Sequence, residues 1–374
     1  MKSKLNVLLV FIPIAMGLSW WWADPILVFL ASALAIAPLA QLMGDATESL
    51  ADSLGPTAGS LLNATLGNAP EIIISLFALQ QGLAHIVKAS ITGSIVGNLL
   101  LGLGASMFAG GLSRSGPRQS FDAVVARLNS GLLMLAAFGL LIPAVFQHNA
   151  QTDREISLEI AVVLFSLYLA SLIFTLVTSH PIVGKDAVKA GLREVVAPTE
   201  PQRKEIEAGP EEPWSRRKSI SILAAVAIGL ALMSELLTDA IDPAAKSLGL
   251  TPLFAGVFLL ALVGNAAEII NAVRFARKDQ MDLAIGITVG ASTQVALLVA
   301  PLLVLAGWGM GRDMNLLFSR FELLAIGVAV GVARSLLYDG SSSWIEGLML
   351  LALYAMLGIG FYYLPAEPSP VFLP

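Results

Sequence analysis

The chain has 374 residues, of which 56% are hydrophobic and 13% are charged, with a formal net charge of −5. Soluble domains carry about 25% charged residues, so this composition excludes an ordinary soluble protein. The small net charge gives no sign of a nucleic-acid partner, and the lack of cysteine excludes disulfides.

The apolar residues occur in long blocks. A membrane-spanning helix needs about 20 mostly apolar residues, and the blocks lack the alternation of transmembrane β-strands. Eleven runs qualify: 5–22, 25–44, 57–81, 86–110, 123–146, 156–178, 219–238, 251–275, 281–308, 316–336 and 343–363. We therefore expect an all-α membrane protein with eleven transmembrane helices.

The first run follows Lys2 and Lys4 and ends in Trp20, Trp21 and Trp22. A signal peptide is one interpretation of this segment. Tryptophans suit a membrane interface better than a cleavage site, which needs small residues. We expect residues 1–24 to form a retained N-terminal transmembrane helix.

Residues 179–218 differ from the rest of the chain because they are rich in Lys, Arg, Glu and Pro. The prolines argue against one continuous helix. This segment is expected to be a solvated linker between two membrane halves, 25–178 and 219–374, with five helices each.

The two halves share a repeated motif. The residues from Gly67 to Ile73 read GNAPEII, and those from Gly264 to Ile270 read GNAAEII, a shift of 197. A second block, around Asp45, recurs around Asp239 with a shift of 194.

The orientation follows from the basic residues, which favour the cytoplasmic side. A cytoplasmic linker places the N-terminus in the cytoplasm, and an odd number of helices per half inverts the second repeat. Inverted repeats recur in secondary transporters, whose binding site lies near the midplane where the repeats meet.

Each repeat carries a glutamate, Glu71 or Glu268, well inside an apolar run. A charge at the bilayer centre costs at least about 2.5–3.5 kcal/mol. Neither run has a Lys or Arg near its middle to pair with the carboxylate. We therefore expect both glutamates to bind a cation and protons; the alternative is a structural Glu that is hydrogen-bonded to its neighbours.

The surroundings of the glutamates suit a hard cation. Asn68 and Asn265 each lie three residues before the glutamate, on the same face of a continuous helix, and Ca²⁺ prefers such carboxylate and amide oxygens. Pro70 cannot bond the Leu66 carbonyl, so that oxygen can face the site. The remaining candidates, for which helix packing is the alternative role, are Gly67, Gly264, Ser94, Asn98, Ser292 and Gln294.

Two carboxylates are neutralised by one divalent cation or by two protons. This charge matching predicts exchange of one divalent cation for about two protons, because the empty, doubly charged site is costly to reorient. Asp45 and Glu48 near the inner side, and Asp239 near the outer side, could attract cations; ordinary solvated helix ends are an equal alternative.

With these residues in view, the chain resembles the Ca²⁺/H⁺ exchanger family of the cation/Ca²⁺ exchanger superfamily. The resemblance covers roughly residues 25–363 and rests on five segments, 37–48, 63–71, 89–98, 264–268 and 290–294. It implies an eleven-helix fold, Ca²⁺ export or sequestration driven by protons, and an acidic stretch in the linker, here Glu205 to Glu212. We expect no cofactor, with Ca²⁺ as the transported ion.

Three alternatives remain. A Na⁺/Ca²⁺ exchanger would carry hydroxyl residues where this chain has Asn68 and Asn265. An intramembrane enzyme would need a pair of catalytic groups, whereas His85, His148 and His180 are widely separated. A channel fits two inverted carboxylates less well than alternating access does.

The expected partners are Ca²⁺, H⁺ and the lipid bilayer, with a homo-oligomer as a possibility. The expected location is the inner membrane of a prokaryote or a vacuolar-type membrane of a eukaryote.

Overall fold

The computed structural model describes residues 4–21, 24–54, 56–113, 118–178 and 214–364, and these are almost entirely helical. A 3₁₀ stretch, Lys4–Val10, precedes the first α-helix. In chain order the helices are α1 (Phe11–Trp21), α2 (Pro25–Leu54), α3 (Pro56–Leu66), α4 (Ala69–Gln80), α5 (Ala84–Leu112), α6 (Ala123–Val145), α7 (Ala150–Thr178), α8 (Arg216–Ser247), α9 (Pro252–Gly264), α10 (Ala266–Arg277), α11 (Met281–Gly309), α12 (Arg320–Leu336) and α13 (Trp344–Tyr362).

The helices confirm an all-α membrane protein. Within the described residues, seven helices are long and apolar enough to cross a membrane, and the bent pair α9–α10 makes an eighth. Each of the eleven predicted runs contains helix, but α1, α3, α4 and α12 are too short to pass the same test. The count of eleven therefore stays a prediction, and so does the division into inverted five-helix repeats.

The predicted linker is shorter than expected at its C-terminal end. Helix α8 begins at Arg216, because the Ser215 hydroxyl caps it by accepting a hydrogen bond from the Lys218 backbone N–H (3.4 Å). The remaining linker residues, 179–213, lie outside the described residues, and so does the acidic stretch from Glu205 to Glu212.

Two of the predicted runs are broken in the middle, a feature that their apolar composition does not predict. The third run divides into α3 and α4 at Gly67 and Asn68, and the eighth divides into α9 and α10 at Asn265, with a bend of 59°. Proline lacks the N–H that would continue the first helix, so Pro70 favours a new start there. The expectation that Asn68 and Glu71 share one continuous helix face is wrong, since Asn68 caps α4.

Helices α5 and α11 form the centre of the fold. In each of them, 67% of the most apolar 18-residue stretch is buried inside the protein. The corresponding share is 17% in α13 and 28% in α7. The exposed side chains of the outer helices are largely apolar, among them Val163, Ile228 and Met356. In a membrane protein, such exposed apolar surface is the surface that lipid covers.

Both central helices contain a short π-helical segment, Gly97–Gly102 in α5 and Val295–Val299 in α11. In a π-helical turn, the backbone hydrogen bonds join residues five apart instead of four, and such turns are frequent at functional sites. The first segment contains Asn98, and the second begins directly after Gln294.

Contacts between loops fall into two groups. At one end, β1 (Gln119–Ser120) pairs with β2 (Ser341–Ser342), and Gln119 donates to the Ala276 carbonyl (2.8 Å). At the other end, Gln81 donates to Asp239 (2.7 Å), and the Ser157 hydroxyl accepts from the Leu316 N–H (3.2 Å). Every one of these contacts joins segments that the sequence assigns to the same side of the membrane.

Candidate cation site

The two glutamates lie just after the two helix breaks. Glu71 is in the first turn of α4 and Glu268 is in the first turn of α10. The Glu71 side chain reaches the other half of the molecule: a Cβ placed on Gly264 would be 3.9 Å from Glu71 Oε1. Glu71 is 8% exposed, and Glu268 is near enough to act on its charge. The structure therefore brings these two acidic groups together.

Each glutamate has one oxygen that is buried and unsatisfied. Within the described part of the chain, Glu71 Oε2 and Glu268 Oε2 have no hydrogen-bond partner. A buried carboxylate oxygen without a partner is costly. A bound cation or a proton is the simplest way to satisfy it.

The neighbouring amides cross between the halves. Asn68 donates through Nδ2 to Gln294 Oε1. Asn265 accepts from Asn98 Nδ2 (3.0 Å) and donates to Ser94 Oγ (2.9 Å). These bonds hold each helix break against the central helix of the other half, where α5 and α11 have their π-helical segments.

Asn98 supplies a third unsatisfied oxygen. It is fully buried, and its Oδ1 has no partner among the described residues although its Nδ2 is bonded to Asn265. The site thus offers two carboxylate oxygens and one amide oxygen, all hard ligands of the kind that Ca²⁺ prefers.

The other predicted ligands offer no buried, unsatisfied side-chain oxygen among the described residues. The Ser292 hydroxyl donates to the Thr288 carbonyl of its own helix (2.9 Å), as a packing residue does. Leu66 is the last residue of α3, at a break where backbone carbonyls can serve as ligands. Gly67 is exposed beside it, and Gly264 packs against Glu71.

The predicted entry residues lie on α2 and α8, whereas the two glutamates lie in the first turns of α4 and α10. Asp45 and Glu48 are exposed on α2, and Asp239 is exposed on α8, where it accepts from Gln81. They stay predictions as attractors of cations.

Sequence reasoning missed an interaction between a lysine and a glutamate that lie inside the helical bundle. Lys88 in α5 and Glu322 in α12 interact electrostatically, and Thr92 Oγ1 donates to Glu322 Oε1 (3.3 Å). A lysine inside the fourth apolar run was the available signal. Within the described residues, no three His, Cys, Asp or Glu side chains form a metal-binding group.

Half-helices that meet at buried carboxylates, with their bonds crossing between two halves, define a secondary cation transporter. The family model described as sodium/calcium exchanger protein matches residues 25–177 and 218–363. The chain belongs to this family.

Similar proteins agree with this assignment. A protein of Synechocystis sp. named Ca(2+)/H(+) antiporter is 42% identical, over 97% of this chain and 98% of its own. Vacuolar cation/proton exchanger 3 of Oryza sativa is 38% identical, over 96% of this chain and 86% of its own. The crystal structure of the Ca2+/H+ antiporter protein YfkE has a TM-score of 0.80 at 36% identity, covering 97% of this chain and 100% of that one.

Proposed function

We propose that this protein exchanges Ca²⁺, or a similar divalent cation, for protons by alternating access at Glu71 and Glu268. The observation that carries the proposal is the pair of buried, unsatisfied carboxylate oxygens on opposing half-helices. The named relatives support it, because both the Synechocystis and the rice proteins are described as exchangers of cations for protons.

The charge of the site explains the coupling. With both carboxylates ionised, the site holds two negative charges inside the bilayer. One Ca²⁺ neutralises both charges, and so do two protons, whereas the empty site is too costly to reorient. Each half-cycle therefore requires an ion, which makes exchange obligatory at about two protons for one Ca²⁺.

The amides hold the two helix breaks against α5 and α11 and add a neutral oxygen to the ligand set. Asn98 provides a neutral oxygen, and Ca²⁺ needs 6–8 oxygens in total. Backbone carbonyls at the ends of α3 and α9, together with water, would supply the rest. Protons need no such set, because one carboxylate oxygen suffices for each.

The experiment is uptake of radiolabelled Ca²⁺ into proteoliposomes under an imposed pH gradient, without Na⁺. Wild-type protein should take up Ca²⁺ only when the gradient is present. Glu71→Gln and Glu268→Gln should each abolish uptake, because either one removes a charge that Ca²⁺ must neutralise. Glu159→Gln is the matched control, since Glu159 is exposed on α7.

Other results would identify the alternatives. Uptake that needs a Na⁺ gradient and ignores the pH gradient would show Na⁺/Ca²⁺ exchange. Uptake without any counter-ion would show a channel. Full activity of both glutamine variants would contradict the site itself.

The proposed placement is a multi-pass protein with its N-terminus in the cytoplasm. It would lie in the inner membrane of a prokaryote or in a vacuolar-type membrane of a eukaryote. The grouping of loop contacts into two ends supports the alternation of helices, and the basic linker sets the direction.

A further inference from the structure

The two halves can be matched residue by residue in their central helices. Helix α5 begins at residue 84 and α11 at 281, and α6 begins at 123 and α12 at 320. Both pairs differ by 197, the same shift that relates the two glutamate motifs. A residue in one half therefore has a defined counterpart in the other.

Between α5 and α12, a lysine connects the two halves. Lys88 of α5 donates through Nζ to Asn315 Oδ1 (3.2 Å) and to the Leu317 carbonyl (2.8 Å). Glu322 of α12, which is 4% exposed, adds its negative charge. An internal cation thus joins a helix of the first half to a helix of the second.

Between the matched helices, α6 and α11, there is no lysine. The counterpart of Lys88 is Ile285, which lines a small cavity between α6 and α11 with Asp122, Asn129 and Asp282. This α6–α11 cavity measures about 10 Å³, close to the smallest volume that holds one water molecule. A volume of this size suits a single water molecule or a single ion.

The polar groups around the α6–α11 cavity are those of a cation site. Asp122 Oδ1 caps α6 by accepting from Val124 N–H (2.7 Å), and Asp282 Oδ1 accepts from the Asp122 N–H (2.7 Å). In both carboxylates these bonds use Oδ1.

Asn129 is the independent observation that points to a ligand. It lines the cavity, is 4% exposed, and its Oδ1 accepts no hydrogen bond within the part of the chain that the structure describes. A buried amide oxygen without a donor costs about 1–3 kcal/mol. Another side chain with a hydrogen to donate would satisfy it, but the two neighbouring polar groups are carboxylates.

We propose that the α6–α11 cavity binds one divalent cation, such as Ca²⁺, through Asp122, Asp282 and Asn129. The bound ion takes the place that the Lys88 ammonium occupies in the other half, and it joins α6 to α11 as Lys88 joins α5 to α12. The contact through Lys88 is then permanent, whereas the contact between α6 and α11 depends on the bound cation. This site is separate from Glu71 and Glu268 and does not require that they transport Ca²⁺.

The test removes the exchange site first. In purified Glu71→Gln/Glu268→Gln protein, the melting temperature is followed by tryptophan fluorescence with and without CaCl₂. An ion that binds only the folded state raises the melting temperature, so Ca²⁺ should still raise it in this double variant. Adding Asp282→Asn should remove that rise, and adding Asn129→Ala, which changes no charge, should reduce it.

Asp339→Asn is the matched control. It removes the same charge at the same end of the molecule, but Asp339 is exposed and pairs with Arg118 (3.8 Å) outside the cavity, so the response to Ca²⁺ should persist. Asn129→Ala decides the question if Asp282→Asn does not fold. The inference is overturned if the double variant shows no response to Ca²⁺, or if the response survives both cavity substitutions.

Discussion

At the scale of residues, the candidate cation site is defined by three oxygen atoms. Glu71 Oε2, Glu268 Oε2 and Asn98 Oδ1 are buried oxygens whose hydrogen-bonding capacity is unused by the described residues. In Asn98 the other polar atom is bonded, since Nδ2 donates to Asn265 Oδ1. That bond fixes the amide group and so orients its free oxygen for a cation.

Replacing Asn98 with alanine should weaken Ca²⁺ binding without abolishing exchange. Contacts between a charged group and a neutral partner are worth about 1.5–3 kcal/mol, and 1.4 kcal/mol corresponds to about a tenfold change. The KM for Ca²⁺ in proteoliposomes should rise about tenfold or more. Ser106→Ala in the same helix is the control, because that hydroxyl donates only to the Gly102 carbonyl (2.7 Å). An unchanged KM in Asn98→Ala would exclude Asn98 as a ligand.

The residues of the site were partly accessible to sequence reasoning. Glu71 and Glu268 stand out because a carboxylate in an apolar run is expensive, and their motifs repeat. Asn129 and Asp122 do not stand out, because an asparagine near a helix end and a capping aspartate are ordinary in sequence. Their meaning comes from the cavity that they share with Asp282, which joins residues far apart in the chain.

At the scale of helices, the runs were predictable but their continuity was not. Apolar composition reports that a segment lies in the membrane, and α3 with α4 has the composition of one span. The break at Gly67 and Asn68 depends on local backbone preferences and on neighbouring helices that satisfy the freed groups. The second break has Ala267 where the first has Pro70, so proline alone does not explain it.

Close helix packing distinguishes two matched glycines. A Cβ on Gly93 of α5 would collide with the Val257 carbonyl oxygen and the Ala261 side chain of α9, whereas Gly290 of α11 has nothing within 4 Å of its Cβ position. Gly93→Ala should therefore lower the melting temperature, at a cost of about 1–3 kcal/mol from overpacking. Gly290→Ala should leave the melting temperature close to that of the wild type. Equal effects of the two substitutions would contradict this packing of α5 against α9.

At the scale of the whole molecule, the two halves are interlocked through their central helices. Helix α5 of the first half packs against α9 and α12 of the second, and α11 of the second packs against α6 of the first. A motion that opens the site to one side must therefore change contacts between the halves. Lys88, with its partners Asn315 and Leu317, lies at one such contact, and the α6–α11 cavity lies at another. A cation bound in the cavity would therefore affect the motion that opens the site.

The arrangement of the ends also makes the membrane orientation testable. The chain contains no cysteine, so a single introduced thiol is labelled without background. The variants Asn149→Cys and Gly82→Cys place the thiol at the end assigned to the outside. Ser341→Cys places it at the opposite end, assigned to the cytoplasm, where β1 pairs with β2. A membrane-impermeant thiol reagent should label the first two in intact cells, and Ser341→Cys only after the cells are permeabilised.

The labelling separates two parts of the topology argument. Opposite behaviour of the two ends follows from an odd number of crossings between them, whichever way the protein is inserted. The direction depends on the basic residues alone, since Arg118, Arg274 and Arg277 all lie near the Ser341 end. A reversed pattern would therefore invert the orientation and leave the helix arrangement intact. Labelling of both ends from outside would contradict the arrangement itself, because Gly82 and Ser341 would then share one side of the membrane.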